Sequence, residues 1–412
     1  MSELFLLHGK VNTMRRRSDV IRRAAAVTAA LVMTTGMAAG TWVPAAAEPA
    51  AARWDVVMLE QWSPDAINVA SFIDDRGVII GTNTTAETLR VVRWGLDGHV
   101  VALDPTPPGT RFAWPTDLNS RGEVSGFTDP VSGTERPVRW DARGHLTVLP
   151  TLTGGGTALA NGIADDGTVV GSSTAADGIH GHAVRWTPGG SVVDLGTLPG
   201  TDNSGAWRVS DHGVIVGSTM SGDGPQNGIR WSRHGELTDL GVAVIEAVND
   251  NGDVVGWTGS GLRPPQQAVR WDARAVAITC ETPSGESATA IGINNRGTAI
   301  GNTTYTAYPV ALRWDRVGHV TLFATPPSVD SGTVSDINDR DEAVGTVHDA
   351  ATDTSHAAFW DAHGVFTDLG VPPGFVASSA HAVDDRGDII GDAIASDGTG
   401  QPVLWRARRH TM

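Results

Sequence analysis

The feature that most restricts what this chain can fold into is a repeat. A short motif recurs along it: an apolar residue, Asn or Asp, a turn containing Gly, two or three apolar residues, and a second Gly. The copies close on Gly81, Gly126, Gly171, Gly217, Gly256, Gly301, Gly345 and Gly391, at spacings of 45, 45, 46, 39, 45, 44 and 46 residues. A tryptophan ending an apolar run follows each one, at Trp94, Trp140, Trp186, Trp231, Trp271, Trp314, Trp360 and Trp405. Two independent series with one period and one count define eight copies of a single structural unit.

Each unit reads as four short strands. In the third copy these are 158–164, 168–172, 183–186 and 191–195, separated by Asp165-Asp166-Gly167, a longer loop, and Pro188-Gly189-Gly190. Short runs rich in Val, Ile, Trp and Thr, bounded by Gly, Asn, Asp and Pro, carry the strand-and-hairpin signature. No stretch after residue 53 holds a 3.6-residue apolar period, so helix is expected to be nearly absent. Pairs such as Val169-Val170 and Val254-Val255 are apolar on both sides of the strand, as required where a sheet is covered on both faces. The predicted fold is all-β, an eight-bladed β-propeller of four-stranded antiparallel blades. A seven-bladed ring and an open β-solenoid are the alternatives. The last copy stops after Val403-Leu404-Trp405, its third strand, whereas residues 54–59 match a fourth strand. The two ends are therefore expected to share the last blade and close the ring, leaving no free sheet edge.

The N-terminal stretch is of another kind. Arg15, Arg16, Arg17, Arg22 and Arg23 precede a small apolar run, 24–40, and then Ala45-Ala46-Ala47. Basic, apolar and small, in that order, read as an export signal over residues 1–47, with Met14 an alternative start that would leave 13 residues outside the native chain. Residues 48–53 are then a linker, 54–406 the propeller and 407–412 a tail. The expected location is secreted, by the Sec route or, given Arg16-Arg17, the Tat route. The apolar run is too short to span a bilayer convincingly, and no transmembrane segment is expected after it. Removing residues 1–47 takes away 6 of 30 basic and 2 of 46 acidic residues, leaving 24 against 44, a balance of −20. Nucleic acid is excluded as a partner by that charge, because phosphate backbones are bound by clustered cations. One cysteine, Cys280, allows no internal disulfide.

Two groups of residues recur together: Asp194-Leu195-Gly196-Thr197-Leu198-Pro199-Gly200, and His182-Ala183-Val184-Arg185-Trp186, with His356-Ala357-Ala358-Phe359-Trp360 as a near copy. This combination resembles the bacterial extracellular HAF-repeat (His-Ala-Phe) family over about residues 54–405. Only two copies keep the His, and most replace the family's Phe-Leu pair with Val-Arg. The resemblance implies export and a propeller-like repeat, with no reaction or ligand.

What recurs in every blade is expected to be scaffold. The turn glycines Gly77, Gly122, Gly167, Gly213, Gly252, Gly297 and Gly387, with Asp341 in the seventh copy, occupy a position where positive φ is needed. The Asp-rich turns resemble calcium loops but lack the alternating ligands and distal Glu of an EF-hand. Turn capping is preferred, no cofactor is expected, and a calcium-stabilised repeat protein stands as one alternative. The Arg-Trp pairs (Arg93, Arg139, Arg185, Arg230, Arg270, Arg313) are assigned to inter-blade packing by Trp, with Arg paired to nearby carboxylates or stacked on a ring.

A site should instead be singular. If the first strand of each blade lines the axis, the loops from fourth to first and second to third strand share one face. Axial positions are then Ser71, Thr116, Asn161, Trp207, Glu246, Ile291, Ser335 and His381, with Asp117, Arg208 and Asp336 next to them. Nearby loops supply Arg111, Trp114, Asp202, Asn203, His180, Trp257 and His348. No nucleophile elbow, zinc signature or phosphate loop is present, and His180-x-His182 lacks a third ligand in sequence reach. The function expected on these grounds is a non-catalytic, monomeric binding scaffold for an extracellular glycan, peptide or envelope component. The residues expected at its ligand are Trp114, Asp117, Trp207, Arg208, Glu246, Asp336 and His381. The alternative is a propeller enzyme acting on glycans, hydrolase or lyase, with Asp117, Glu246, Asp336 and His381 as the reacting groups.

Overall fold

The computed structural model describes residues 53–408 apart from 64–65, 105–108, 131–133, 153–155, 223 and 260–264. The expected export signal and the end of the C-terminal tail lie outside the described residues. The third copy forms strands Ala158–Ile163, Val169–Thr174, Gly181–Trp186 and Val192–Gly196, paired in that order as one antiparallel sheet. The described residues make six such four-stranded sheets and one of eight strands. The latter is two four-stranded halves joined by a single parallel bridge, Leu89 to Phe112. That arrangement is compatible with eight blades, numbered here in chain order, and the fold is a β-propeller. No helix among the described residues is long and apolar enough to cross a membrane.

The chain has no single core. Consecutive residues of each second strand point to opposite sides, and both sides are covered. Val169 packs with Leu149, Ala158 and Trp186 between blades 2 and 3. Its neighbour Val170 packs with Ala206, Ile215 and Trp231 between blades 3 and 4. Each recurring tryptophan fills one junction and is at most 2 % exposed. Seven of the indoles also donate to a backbone carbonyl at the end of the preceding blade, for example Trp186 Nε1 to Pro150 O at 2.7 Å and Trp314 Nε1 to Glu281 O at 2.6 Å. Burial of the ring and satisfaction of its N–H together explain why Trp recurs. The preceding Arg residues reach the other way. Arg93, Arg230 and Arg313 donate to Ala142 O, Ala273 O and Ala362 O of the next blade, and Arg270 pairs with Asp253 at 2.6 Å.

Closure uses both chain ends. Strand Trp54–Met58 pairs antiparallel with Gly400–Ala407, from Trp54 opposite Ala407 to Met58 opposite Val403. Leu59, fully buried, packs with Ile390 and Leu404 of blade 8 and with Ala70, Ile79 and Trp94 of blade 1. The short spacing of 39 residues also has a cause. The outer strand of blade 4, Leu237–Val242, is followed after one residue by the inner strand of blade 5, Val244–Val248.

The HAF-like residues form one local unit. His182 Nδ1 lies 2.8 Å from Asp194, and His356 Nδ1 lies 2.7 Å from Asp368. In blade 4 Asn227 replaces the His and donates to Asp239. The same aspartates accept the N–H of the glycine two residues on, at Gly196 and Gly370, which have positive φ.

Candidate functional site: the axial channel and its two mouths

Every inner strand carries a β-bulge. The register against the second strand slips across Ser71, Thr116, Asn161, Trp207, Glu246, Ile291, Ser335 and His381, the eight positions expected to line the axis. An unpaired extra residue bends its strand and re-aims its side chain. It also brings the inner backbone close to the second strand, and the glycines of the repeat motif lie there. A Cβ on Gly171 would land on the carbonyl oxygen of Leu159, and one on Gly391 on that of Ser379. The bulge was not legible in the inner strands, whose residue types differ at this point. Its signal was the glycine opposite.

Beyond the bulges the inner strands converge on a cavity of about 350 Å³ at the mouth formed by the turns from first to second strand. Its wall is one apolar residue per blade, such as Ile73, Leu118 and Val383, and its rim is the turns. In six turns the first residue is Asn or Asp and caps backbone N–H groups, the exceptions being Ala164 and Ser210. Asp74 Oδ1 accepts from Arg76 N and Val78 N, and Asn249 Oδ1 from Asp253 N. The next residue does something the sequence did not reveal: its carboxylate or amide oxygen accepts the backbone N–H of the equivalent residue in the preceding blade. Ser120, Asp165, Asp211, Asp250, Asn295, Asp339 and Asp385 donate in turn to Asp165, Asp211, Asp250, Asn295, Asp339, Asp385 and Asp75, at 2.7–2.8 Å. This clasp crowds carboxylates at one end of the axis. Burial and the charges of Asp165, Asp250 and Asp117 push Asp211 up to about 6. Burial and the Asp388 charge do the same to Asp384. Among the described residues no group of three or more His, Cys, Asp or Glu side chains is arranged to hold a metal ion.

The singular residues divide into those that serve the ring and those that stand at or beside the bulges, and none of them lines the cavity. Asp117 and Asp336 serve the ring. Asp117 Oδ2 accepts Ile163 N, and Asp336 Oδ2 accepts Val383 N, both at 3.0 Å from the neighbouring blade. Burial pushes Asp336 up to about 6 against the two backbone N–H groups that favour its charge. His180 and His182 bind separate carboxylates, Asp177 and Asp194. His348 lies between Asp330 and Asp353, whose carboxylates raise its pKa. Asp202 accepts from Ser221, and Asn203 from Gly181 N.

At the bulges, three blades present reactive or aromatic groups. In blade 8, His381 Nε2 is 3.0 Å from Ser379 Oγ and 3.5 Å from Asp392 Oδ2. Asp392 stands just after the close-approach glycine of the second strand, and burial raises its pKa. In blade 5, the indole of Trp257 donates to Glu246 Oε1 at 3.2 Å. In blade 4, Trp207 donates to Ser218 Oγ at 3.0 Å, and the exposed Arg208 donates to the Trp207 carbonyl. Trp257 is buried behind Glu246, whereas Trp207 keeps part of its ring exposed. Toward the opposite mouth, Trp114 stacks on Phe127 at 5.2 Å and meets Phe112 at 5.5 Å.

Neither a known family profile nor a curated relative matches the sequence. Solved structures do share the fold. A prolyl endopeptidase structure matches over 81 % of this chain and 55 % of its own, with 15 % identity and a TM-score of 0.54. A post-proline cleaving enzyme from Rickettsia typhi matches over 83 % and 58 %, with 10 % identity and a TM-score of 0.51. Dipeptidyl peptidase 4 of Porphyromonas gingivalis matches over 84 % and 59 %, with 10 % identity and a TM-score of 0.50. The chain spans a little over half the length of these peptidases. These three solved chains are enzymes, so the likeness lends no support to the expectation of a non-catalytic scaffold.

Proposed function

We propose that this chain is the propeller of an exported enzyme that cleaves glycans in the axial channel, with His381 and Glu246 as its acid–base groups. The observation that carries this reading is that each group stands at a bulge and is backed by side chains of its own blade. The imidazole of His381 is engaged through Nε2 by Ser379 and Asp392. That leaves Nδ1 as the nitrogen to meet a substrate. A carboxylate behind an imidazole orients the ring, which is what a positioned general base requires. Glu246 is held by the Trp257 indole and sits on the inner strand of blade 5, which adjoins the inner strand of blade 4 that carries Trp207 and Arg208. A carboxylic acid in that position can protonate a leaving glycosidic oxygen. The part-exposed indole of Trp207 offers the flat apolar face on which a sugar ring stacks, and Arg208 offers a charged donor to sugar oxygens.

Asp117 and Asp336 are left out of this assignment, since both already accept backbone N–H groups that join blades. The reading rests on the site and agrees with the enzymes that share the fold, while peptide substrates belong to those proteins. It is tested by incubating the protein with a polysaccharide panel and measuring new chain ends. His381→Ala and Glu246→Gln should each lower turnover by about 100-fold or more, the usual worth of a general acid or base, with unchanged melting temperatures. Cleavage at the parent rate in both variants would remove the assignment.

A further inference from the structure

Blade 2 carries an aromatic ledge that the corresponding positions of the other blades do not repeat among the described residues. Phe112 and Trp114 lie on its inner strand, Thr110–Leu118, and Phe127 on the second, Val124–Pro130. Trp114 and Phe127 are directly opposed, with ring centroids 5.2 Å apart and planes inclined by 22°. Phe112 continues the group at 5.5 Å. No corresponding pair is aromatic on both strands, as with Leu159 and Ser172 in blade 3, Val244 and Trp257 in blade 5, and Ser379 and Asp392 in blade 8. None of the three aromatic residues belongs to a junction core, each of which has its own tryptophan. All three stay partly exposed. Packing therefore accounts for the eight repeated indoles and does not account for these rings.

The ledge also has a charged end. The Arg111 guanidinium lies over Phe112 at 5.1 Å, and its Nε donates to the Glu87 carbonyl of blade 1 at 3.3 Å. Arg111 is exposed, so the remaining guanidinium N–H groups face solvent beside the rings. A stacked π surface ending in a fixed, planar cation fits a pyranose carrying a carboxylate: the ring C–H groups meet the indole and the carboxylate meets the guanidinium. We infer that this ledge is a subsite for uronate-bearing stretches of a glycan, an inference that rests on the glycan-cleaving function proposed above and names its substrate class. The strongly acidic surface makes the point sharper, because a polyanion would be repelled by most of this protein and needs a localised cation to settle on.

The test is native electrophoresis through gels containing pectate, alginate or neutral dextran, with cleavage of the same polymers measured in parallel. The parent protein should be retarded by pectate or alginate and not by dextran. Trp114→Ala should weaken that retardation by about tenfold in apparent affinity, the usual effect of truncating an aromatic anchor. Arg111→Gln, at an exposed position that leaves folding intact, should abolish the difference between the acidic polymers and dextran, and added salt should weaken the parent in the same way. Near-ultraviolet dichroism checks that Trp114→Ala is folded, and Arg111→Gln decides the matter if it is not. A parent unretarded by pectate and alginate, or an Arg111→Gln protein retarded like the parent, overturns the inference. Retardation of the parent and of His381→Ala without cleavage of any polymer by the parent would refute the catalytic assignment and keep the subsite. Cleavage confined to neutral glycans would do the reverse.

Discussion

The carboxylate of Asp75 accepts the backbone N–H of Asp385 at 2.8 Å, across 310 residues of chain. This bond joins blade 8 to blade 1 on the mouth where the turns converge, while strand Trp54–Met58 completes blade 8 on its outer side. Closure is thus made twice, at the axis by a polar clasp and at the rim by a strand. Four expected outcomes follow from the way the ring is held.

Removing residues 53–60 should destabilise the whole ring and not only its ends. Leu59 is fully buried between blades 8 and 1, and Leu59→Ala alone should cost about 2–5 kcal/mol. Urea unfolding measures the loss, and size-exclusion chromatography should show association through the uncovered edge of Gly400–Ala407. A truncated protein that unfolds like the parent and remains monomeric would contradict double closure.

The bulge glycines should be the least substitutable positions in the chain. Gly171→Ala forces a methyl group onto the Leu159 carbonyl, so the bulge or the pairing must give way, at a cost of at least about 1–3 kcal/mol for the overpacking. Gly190→Ala is the control. Its φ of 87° is strained for Ala, but nothing lies within 4 Å of the new methyl. The midpoint of urea unfolding should fall much further for Gly171→Ala.

Asp341 has a φ of 63° where the other blades have glycine. Its Oδ1 accepts from Asn294 Nδ2 at 2.8 Å, and its Oδ2 lies 3.4 Å from Arg296. Asp341→Ala loses these contacts and keeps the backbone strain, whereas Asp341→Gly loses the contacts and relieves it. Thermal melts should therefore rank parent, Gly variant and Ala variant in descending stability.

Asp211, Asp384 and Asp336 are each pushed up to about 6, chiefly by burial. Each binds its proton more tightly when folded than when unfolded. The stability they contribute is fully present below the ordinary carboxyl range near 4 and is lost as pH rises through about 6. Melting temperature should consequently decline between roughly pH 4.5 and 6.5. Asp211→Asn should flatten part of that slope, because an amide at this rim position can still accept the Asp165 N–H, as Asn295 accepts that of Asp250. A slope unchanged in Asp211→Asn would show that the crowded rim is not its source.

Much of the architecture could be read from the chain because a repeat states each structural requirement several times. The turn glycines Gly77 and Gly167 have positive φ, as does the exceptional Asp341. The tryptophans fill the junctions, and the N-terminal strand completes the last blade. What stayed hidden depends on residues about 45 positions apart. Asp165 reads as a turn cap, and only its neighbour Ser120 in space reveals it as half of a clasp. Asp117 and Asp336 read as axial carboxylates because their positions are singular, and only the folded ring shows the backbone N–H groups of Ile163 and Val383 beneath them. Trp114 read as a residue of a loop near the axis, whereas it lies on the inner strand Thr110–Leu118, and its ledge needed Phe127 from the paired strand. The scaffold expectation arose because the sequence carries no nucleophile elbow, zinc signature or phosphate loop, and the solved chains named above, which are enzymes, lend it no support.

The most direct measurement is the rate at which chain ends appear when the protein is incubated with a polysaccharide panel, compared between the parent and His381→Ala. The account predicts turnover by the parent and a loss of about 100-fold or more in the variant at equal melting temperature. Equal rates in the two proteins, or no cleavage of any polymer by the parent, would contradict it.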